Sequence, residues 1–560
     1  MTPGVYIKEE NAFPSSAVAV ETAVPVFIGY TQTAVWNGKS LVNKPTRISS
    51  FAEYVESFGG AFAPKFTIAD PDPKVPSETF LINGKQQKVT LNKDNAAYFF
   101  NSIRLFFANG GSNCYILSVG TYGDKPAGFT IQASDFIGST DNPVSVFELL
   151  EKEFEPTMLV FPDIIALGKD AYTEVYTQAL IHCNTVQSRV CLFDLRLQGL
   201  GEKTDDVVSE FRTAIGTNFL NYGAAYYPWL KTSIVQPSEV DFRNLDASVD
   251  LSTILPEDNV KAIVTAFKAS PIGKILSTPP AAAPAAGAAP AAAPAAGAEP
   301  AAAPAAAPAD AAGAPAAGAA PAAGAAPAAA AAPSPADIAN AATSYHQSLM
   351  AASPTYVSIV NEIRNLLNIL PPSGAMAGIY TLVDSSRGVW KSPANVSFSM
   401  VNAPTVNISA AEQEGLNVDV MAGKSINVIR PFPGIGTLIW GARTLDGNSQ
   451  DWRYINVRRT LIMIEQSLKL ATRTYVFESN DANTWVTVKG MIVNFLGNLW
   501  KQGALAGAVP EQAFDVQIGL GATMTPNDIL DGIMRITVKV AIVHPAEFIV
   551  ITFQQQQQLS

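Results

Sequence analysis

Short apolar runs bounded by turn residues recur through the first half of the chain, at Val26–Gly29, Cys114–Val119, Met158–Phe161, Val190–Phe193 and Ala224–Tyr227. Continuous runs of this kind fit strands covered on both faces. The last three are spaced by about thirty residues, with helix-like stretches between them at Ala171–Thr185 and Asp205–Asn218. Parallel strands joined by crossover helices require that rhythm. The stretch Ala96–Asn109 carries Phe99, Ile103, Phe106 and Phe107 on one face and stops at Gly110-Gly111, as a helix ends at glycine. Apolar–polar alternation over Phe80–Leu91 is interrupted by Asn83-Gly84, which predicts a hairpin.

The second half opens with an interruption. Pro279–Pro335 is almost wholly Ala, Pro and Gly, and its only charges are Glu299 and Asp310. Such a segment has no side chains from which to build a core, and its prolines break the helices its alanines favour. It is expected to be a disordered, semi-stiff linker reaching at most about 3.1 Å per residue. A polar region punctuated by Pro and Gly is read from there to about Gly441. Two amphipathic helices follow. One carries Val457, Leu461, Ile464, Leu468 and Ala471 as its stripe; the other carries Trp485, Val488, Ile492, Phe495 and Leu499 and stops at Gly503. Strands are expected at Ile533–Val543 and Glu547–Phe553, broken by His544-Pro545.

A strand over Phe548, Ile549, Val550 and Ile551 cannot be left as an open edge, because its backbone groups recruit any available strand. Val5, Tyr6 and Ile7 pose the same question on an irregular arm set off by Pro14 and Pro25. Both segments suit strand addition between copies; pairing inside the chain's own sheets is the alternative. The pattern therefore reads as a multidomain α/β and α+β protein. Residues 1–25 form an extended arm, and 26–440 an α/β unit with a mostly parallel sheet. That unit includes a small hairpin subdomain near 60–95 and an insertion at 240–355 around the linker 279–335. Residues 441–545 form a C-terminal α+β domain, and 546–560 a strand arm.

Only 15% of the 560 residues are charged, which points to surface hidden in an assembly, although the alanine tract inflates the hydrophobic share. A net charge of −11 argues against a duty on nucleic-acid phosphates. Cys114, Cys183 and Cys191 lie in apolar contexts without the spacing of a disulfide framework or a zinc site. They read as small buried hydrophobes folded in a reducing cytoplasm. No signal peptide is evident at Met1, and the apolar stretch Ala17–Tyr30 is broken by Glu21 and Pro25, so no membrane insertion is expected.

Ala422-Gly-Lys-Ser425 looks like the end of a phosphate-binding loop, but position 418 is Val where that loop needs Gly. Gly434-Ile-Gly436 and Gly519-Leu-Gly521 read as turns. His182, His346 and His544 are too far apart in sequence for a metal set. Asp163 and Asp194 follow strands, where active-site carboxylates occur in α/β folds, but a helix cap or turn anchor is the favoured reading. Arg443, Arg453, Arg458 and Arg459 could hold carboxylates within the chain or between copies. Lys489 and Lys501 lie on the polar side of the second amphipathic helix. No catalytic, cofactor-binding or metal residues are assigned, and the chain reads as no enzyme.

A set of motifs in order adds a resemblance. At the start come TPGVYIKE from Thr2, AVPVFIGYT from Ala23 and SSFAEYVESFGG from Ser49. These are followed by FFANGG from Phe106 with Cys114-Tyr-Ile, FPD from Phe161 and YYPWL from Tyr226. Beyond the tract come PPSG from Pro371, DSSRGVWKSPAN from Asp384, NVIR from Asn427, WGARTL from Trp440 and WRYINVRR from Trp452. FLGNLW from Phe495, GALAG from Gly503 and PAEFI from Pro545 close the series. The ordered set resembles contractile tail sheath proteins, and most nearly the sheaths of extracellular injection particles of the antifeeding-prophage type. It departs from them in the long insertion between Trp229 and Pro371.

The resemblance implies a tube of stacked hexameric rings around an inner tube, with neighbours stitched by Val5–Ile7 and Phe548–Ile551. It implies contraction that drives the inner tube through a target envelope, and a C-terminal domain on the inner side, where Lys489 and Lys501 are candidates for touching the tube. Implied partners are other sheath subunits, including paralogous ones, the inner tube protein, and baseplate and terminal cap proteins. Assembly would take place in the cytoplasm of the producing cell, and the subunit would then be part of a phage-tail-like particle, one that can be released. The sheath of a genuine phage tail is the nearer alternative. The remote one is an acyltransferase with Ala/Pro linkers, whose lipoyl-lysine and catalytic-histidine motifs are absent from the sequence. Contraction leaves an inward insertion no space, so the tract is read as decoration on the outer face. Deleting Pro279–Pro335 is expected to leave assembly intact; electron micrographs of the deletion variant lacking tubes would contradict this.

Overall fold

The computed structural model describes residues 17–72, 79–82, 84–92, 96–123, 129–139, 144–277, 333–419 and 422–550. Val5, Tyr6, Ile7, Ile551, Asn83 and nearly all of the Ala/Pro tract lie outside them.

All five apolar runs become strands of one eight-stranded sheet. Its order is Gly436–Ile439, Asn427–Phe432, Gly223–Tyr227, Val190–Asp194, Met158–Val160, Pro25–Thr31, Cys114–Thr121, Thr46–Ile48. The six inner strands pair in parallel, and an antiparallel strand closes each edge. Crossovers of this kind place helices on both faces, which is why Pro25–Thr31 is buried at every residue and its sequence shows no alternation. The expected helices appear as Phe99–Ala108, Lys169–Val186 and Thr204–Ala214. Phe80–Ile82 and Lys85–Leu91 pair as the expected hairpin, and Phe66–Ala69 adds a third strand.

The region after the tract differs from its reading. It is strongly helical, with Pro335–Ala352, Pro354–Leu367 and Ser373–Arg387 in succession. The first two pack against the helices that precede the tract: Tyr345 stacks on Phe267 at 3.7 Å, and the Ser353 hydroxyl donates to Glu257 at 3.0 Å. Ser373–Arg387 is buried at every residue from Ser373 to Thr381, so that stretch has no polar face for a periodicity search to find. Gly374 and Gly378 let it approach helix Phe99–Ala108 backbone to backbone. A Cβ at Gly374 would meet the Ser102 carbonyl oxygen at 2.6 Å, and one at Gly378 the Phe106 carbonyl oxygen at 2.5 Å.

The two carboxylates at strand ends hold this arrangement together. Asp163 accepts from the backbone N–H groups of Tyr98 at 2.8 Å and Phe99 at 2.9 Å, and from Tyr30 N–H at 3.2 Å. It thereby satisfies the start of helix Phe99–Ala108 and ties it to the neighbouring strand. Gly29 makes room for this, since a Cβ there would meet the Phe99 ring at 2.4 Å. Asp194 accepts from Ser373 N–H at 2.8 Å and from the Ser373 hydroxyl, at the start of the buried helix Ser373–Arg387. Both carboxylates are caps, and the helices they cap are distant in sequence.

A second core lies beyond the sheet. The expected amphipathic helices, Ile455–Thr472 and Ala482–Lys501, pack together there and under the antiparallel pair Phe514–Ile518 and Ile536–Val540. Helix Ile455–Thr472 serves both cores: Ile455 and Ile462 face the first, Val457, Met463 and Ile464 the second. The N-terminal arm also departs from expectation. Ala17 is buried in the second core and Val24 in the first, so residues 17–24 bridge the two and do not stand free. The strand expected at Ile533–Val543 spans only Ile536–Val540, and residues 547–550 carry no strand.

Burial pushes Asp163 up to about 6 and Asp194 up to about 7, against the pull of the hydrogen bonds each accepts. Such an acid holds its proton more tightly folded than unfolded, so stability should fall as pH rises from the ordinary carboxylate range through 7. Asp194→Asn can keep both Ser373 hydrogen bonds, because the hydroxyl can turn to accept. It is expected to fold and to flatten this pH dependence in thermal melts between pH 5 and 8. Asp163→Asn would set an amide NH2 against the Tyr30 N–H or the Tyr98/Phe99 pair, and should cost about 1–3 kcal/mol.

Candidate assembly interface

Of the residues singled out for strand exchange, the structure describes Phe548, Ile549 and Val550. They are 71%, 79% and 88% exposed and pair with no strand among the described residues. Three consecutive apolar residues in open solvent, whose backbone groups meet no partner among the described residues, have the character of an unfilled interface.

Their root is held firmly. Glu547 receives a guanidinium fork from Arg443, with Nε to Oε1 at 3.0 Å and Nη2 to Oε2 at 2.6 Å. Asn417 Nδ2 donates to Oε1 at 2.7 Å and the Tyr454 hydroxyl to Oε2 at 2.9 Å. Arg443 also donates to the Asn417 carbonyl at 3.1 Å, and its guanidinium lies over the Tyr454 ring at 5.9 Å. Burial alone would raise the Glu547 pKa, but the hydrogen bonds from Arg443, Asn417 and Tyr454 outweigh it and hold the carboxyl below its ordinary value. The side chains of Arg443 and Glu547 are only 4% and 20% exposed.

The other arm has a matching anchor. Arg459 forks onto Asp384, Nη1 to Oδ1 at 2.9 Å and Nη2 to Oδ2 at 2.5 Å, and both side chains are buried. Arg459 Nη2 also donates to the Thr22 carbonyl at 2.9 Å, while the Thr22 hydroxyl donates to Asp384 at 2.6 Å. Val20 N–H donates to Ser467 Oγ at 3.0 Å. The guanidinium sits 4.5 Å over the Tyr380 ring, whose hydroxyl meets that of Tyr226 at 2.7 Å. The arginine run noticed in the sequence therefore serves within the chain. Arg458 differs from its neighbours, lying over Tyr222 at 4.1 Å and Trp452 at 4.8 Å, and Arg453 donates to the Gly447 carbonyl. Sequence reasoning missed Glu547, Asp384, Thr22 and Asn417, because the partners are separated by 26 to 437 positions.

The pair Phe514–Ile518 and Ile536–Val540 joins no third strand among the described residues, and just past it Ile542 bridges to Leu505. Its inward residues Val516, Ile536, Val538 and Val540 pack on the second core, so this small sheet is held by the helices beneath it. The outward face of helix Ala482–Lys501 carries Lys489 and Lys501, both exposed; the helix contains no acidic residue.

Lys424, Ser425 and the three histidines have local contacts. The Lys424 ammonium donates to the Arg212 carbonyl and the Ser425 hydroxyl to the Asn417 carbonyl at 2.7 Å. Burial, with help from Arg189, lowers His182 to about 4. His346 meets the Tyr356 hydroxyl, and His544 the Ile542 carbonyl. Among the described residues no cluster of His, Cys, Asp and Glu could hold a metal, and no helix is long and apolar enough to cross a membrane.

Residues 448–556 match the phage tail sheath C-terminal domain family. The chain is 25% identical over 162 residues to the tail sheath protein of Vibrio phage KVP40; the aligned part is 29% of this chain and spans only 23% of that protein. Its fold matches the contracted-state sheath complex of an extracellular contractile injection system, PVC, with a TM-score of 0.56 and 25% identity over 99% of this chain and 98% of that one. The six-fold-symmetrised baseplate structure of the anti-feeding prophage contains a chain that matches with a TM-score of 0.54 and 25% identity, covering 100% and 99%.

Glu547→Ala would leave the nearly buried Arg443 without its counter-charge and should destabilise the protein by about 3 kcal/mol. Replacing both Asp384 and Arg459 by Met should cost less than Asp384→Ala alone, since removing one partner strands a buried charge. Chemical denaturation of the variants checks both orderings.

Proposed function

We infer, from its place among contractile tail sheath proteins, that this chain is the repeating structural subunit of a contractile sheath in a phage-tail-like injection machine. The observation that carries the reading is the end-to-end match to the PVC sheath complex, which leaves almost no part of either chain unaccounted for. The geometry of the described residues supports it: an exposed apolar segment fixed at its root, and a two-stranded sheet that joins no third strand among them.

In this reading Phe548–Ile551 of one copy, and Val5–Ile7 of another, add strands to the Phe514–Ile518/Ile536–Val540 pair of a neighbour. Strand addition supplies main-chain hydrogen bonds and specificity through alternate side chains. The subunits then form stacked hexameric rings around an inner tube. The sheath is assembled in the extended form, and contraction releases the difference in interface free energy between two packings of one fold. Strand exchange keeps neighbours joined while each subunit rotates as a body. No nucleotide hydrolysis is required, and the role is not enzymatic.

The helix Ala482–Lys501 is the part read as facing the inner tube. Its exposed face bears Lys489 and Lys501 with no carboxylate of its own, in a chain whose net charge is −11. That face suits an acidic tube surface and a contact that salt weakens. Baseplate and terminal cap proteins are the remaining partners, and paralogous sheath chains are candidates for sharing the lattice. The subunit assembles in the producing cell's cytoplasm and then belongs to the particle. Because its curated relatives are phage proteins, the sheath of a genome-delivering tail is the second reading; a DNA-filled head on native particles would select it.

Purified full-length protein is expected to form tubes with six-fold end views. Removing residues 548–560 keeps the Glu547 anchor and should leave a folded chain with an unchanged melting temperature that no longer polymerises. Normal tubes from that variant, and from one lacking residues 1–14, would refute arm exchange.

A further inference from the structure

Two of the three cysteines are in contact. Cys183, in the last turn of helix Lys169–Val186, and Cys191, in strand Val190–Asp194, place their sulfur atoms 3.4 Å apart, and both residues are fully buried. Both are free thiols. The turn between them has Gln187 in the left-handed region, which folds the strand back under the helix end. A disulfide needs its sulfurs at about 2.05 Å, so closure asks for an approach of little more than 1 Å. Cys114 has no such neighbour. Its strand lies three strand spacings from that of Cys191, about 14 Å across the sheet.

The surroundings carry a positive charge. Arg189, fully buried, donates to the carbonyl oxygens of Leu150 (3.0 Å) and Glu153, and faces His182 Nε2 at 3.3 Å. Its contacts are carbonyls and an imidazole rather than a carboxylate, and its Nε is without a hydrogen-bond partner. Its charge favours the Cys191 thiolate, but burial outweighs it and keeps that thiol well above its ordinary range, so reaction waits on local opening.

We propose that Cys183 and Cys191 are a redox pair that closes to a disulfide once the protein meets a peroxide outside a reducing compartment, stapling helix Lys169–Val186 to the central sheet. One thiolate attacks a peroxide oxygen; the O–O bond breaks, giving a sulfenic acid and hydroxide, which takes up the proton the thiol released. The second thiol then attacks the sulfenic sulfur. The S–S bond forms, the S–O bond breaks, and water leaves with the second thiol's proton. In sum two thiols are oxidised and one hydrogen peroxide is reduced to two waters. Local opening of the Gln187–Arg189 turn admits the oxidant.

The test uses the reduced full-length protein, exposed to hydrogen peroxide while folded, quenched, and then denatured for thiol titration and non-reducing peptide mass mapping. Free thiols should fall from three to one, with Cys114 remaining. The chain should become about 2 Da lighter through one Cys183–Cys191 link, and its melting temperature should rise by a few degrees, about the scale of a short-loop staple. Cys114→Ser should cross-link as the parent does, and Cys191→Ser should not. The proposal is overturned if all three thiols persist in the folded protein while an exposed reference thiol is consumed. It is equally overturned if the link formed involves Cys114, or if the oxidised protein melts below the reduced one.

Discussion

The fork of Arg459 on Asp384 joins three parts of the chain that are remote in sequence. Asp384 ends the buried helix beside the sheet, Arg459 rises from the helix shared by both cores, and Thr22 contributes its carbonyl and hydroxyl from the N-terminal arm. The Asp384 carboxylate and the Thr22 carbonyl offset the cost of burying this guanidinium. Each participant therefore constrains the others: the arm cannot leave without stripping a donor of its acceptor, and the helices cannot slide without breaking a planar fork. The relative placement of the two hydrophobic cores rests on this cluster and on the helix Ile455–Thr472 that both of them share.

Much of the architecture was legible because burial on two faces and burial on one leave different signatures. The apolar runs at Val26–Gly29 and Ala224–Tyr227 are inner strands, and the stripes through Val457 and Val488 are helices with one apolar side. Where a segment is buried all round, pattern fails. Ser373–Arg387 packs through Gly374 and Gly378 at backbone distance, and the small residues that make this contact were read as punctuation. The arm at Ala17–Val24 was read as detached because Pro25 breaks regular structure; its attachment is made by side-chain hydrogen bonds that no periodicity records. The arginines of the two anchors could be picked out, while their acids could not, because an ion pair between distant positions leaves no spacing to measure.

The groups that usually signal chemistry serve to hold backbone in place. Asp163 and Asp194 stand where an α/β enzyme keeps its acids, at the carboxyl ends of adjacent parallel strands, yet each is spent on the start of a buried helix. Lys424 and Ser425 bind carbonyl oxygens. A single glutamate near the end of the sequence carries little weight by itself, but Glu547 collects three donors and fixes the direction in which the segment after it leaves the fold.

That fixed direction has a mechanical meaning. If the segment beyond Glu547 is gripped by a neighbour and the two bodies are drawn apart, tension travels along the backbone and reaches the arginine fork before it reaches any strand of this chain's own sheets. The load then falls on a planar, multiply bonded joint packed against Tyr454, and the hydrogen bonds of the small sheet nearby are spared from being unzipped one by one. The joint behaves as a strain relief, which lets a thin tether transmit force without unravelling the body to which it is tied.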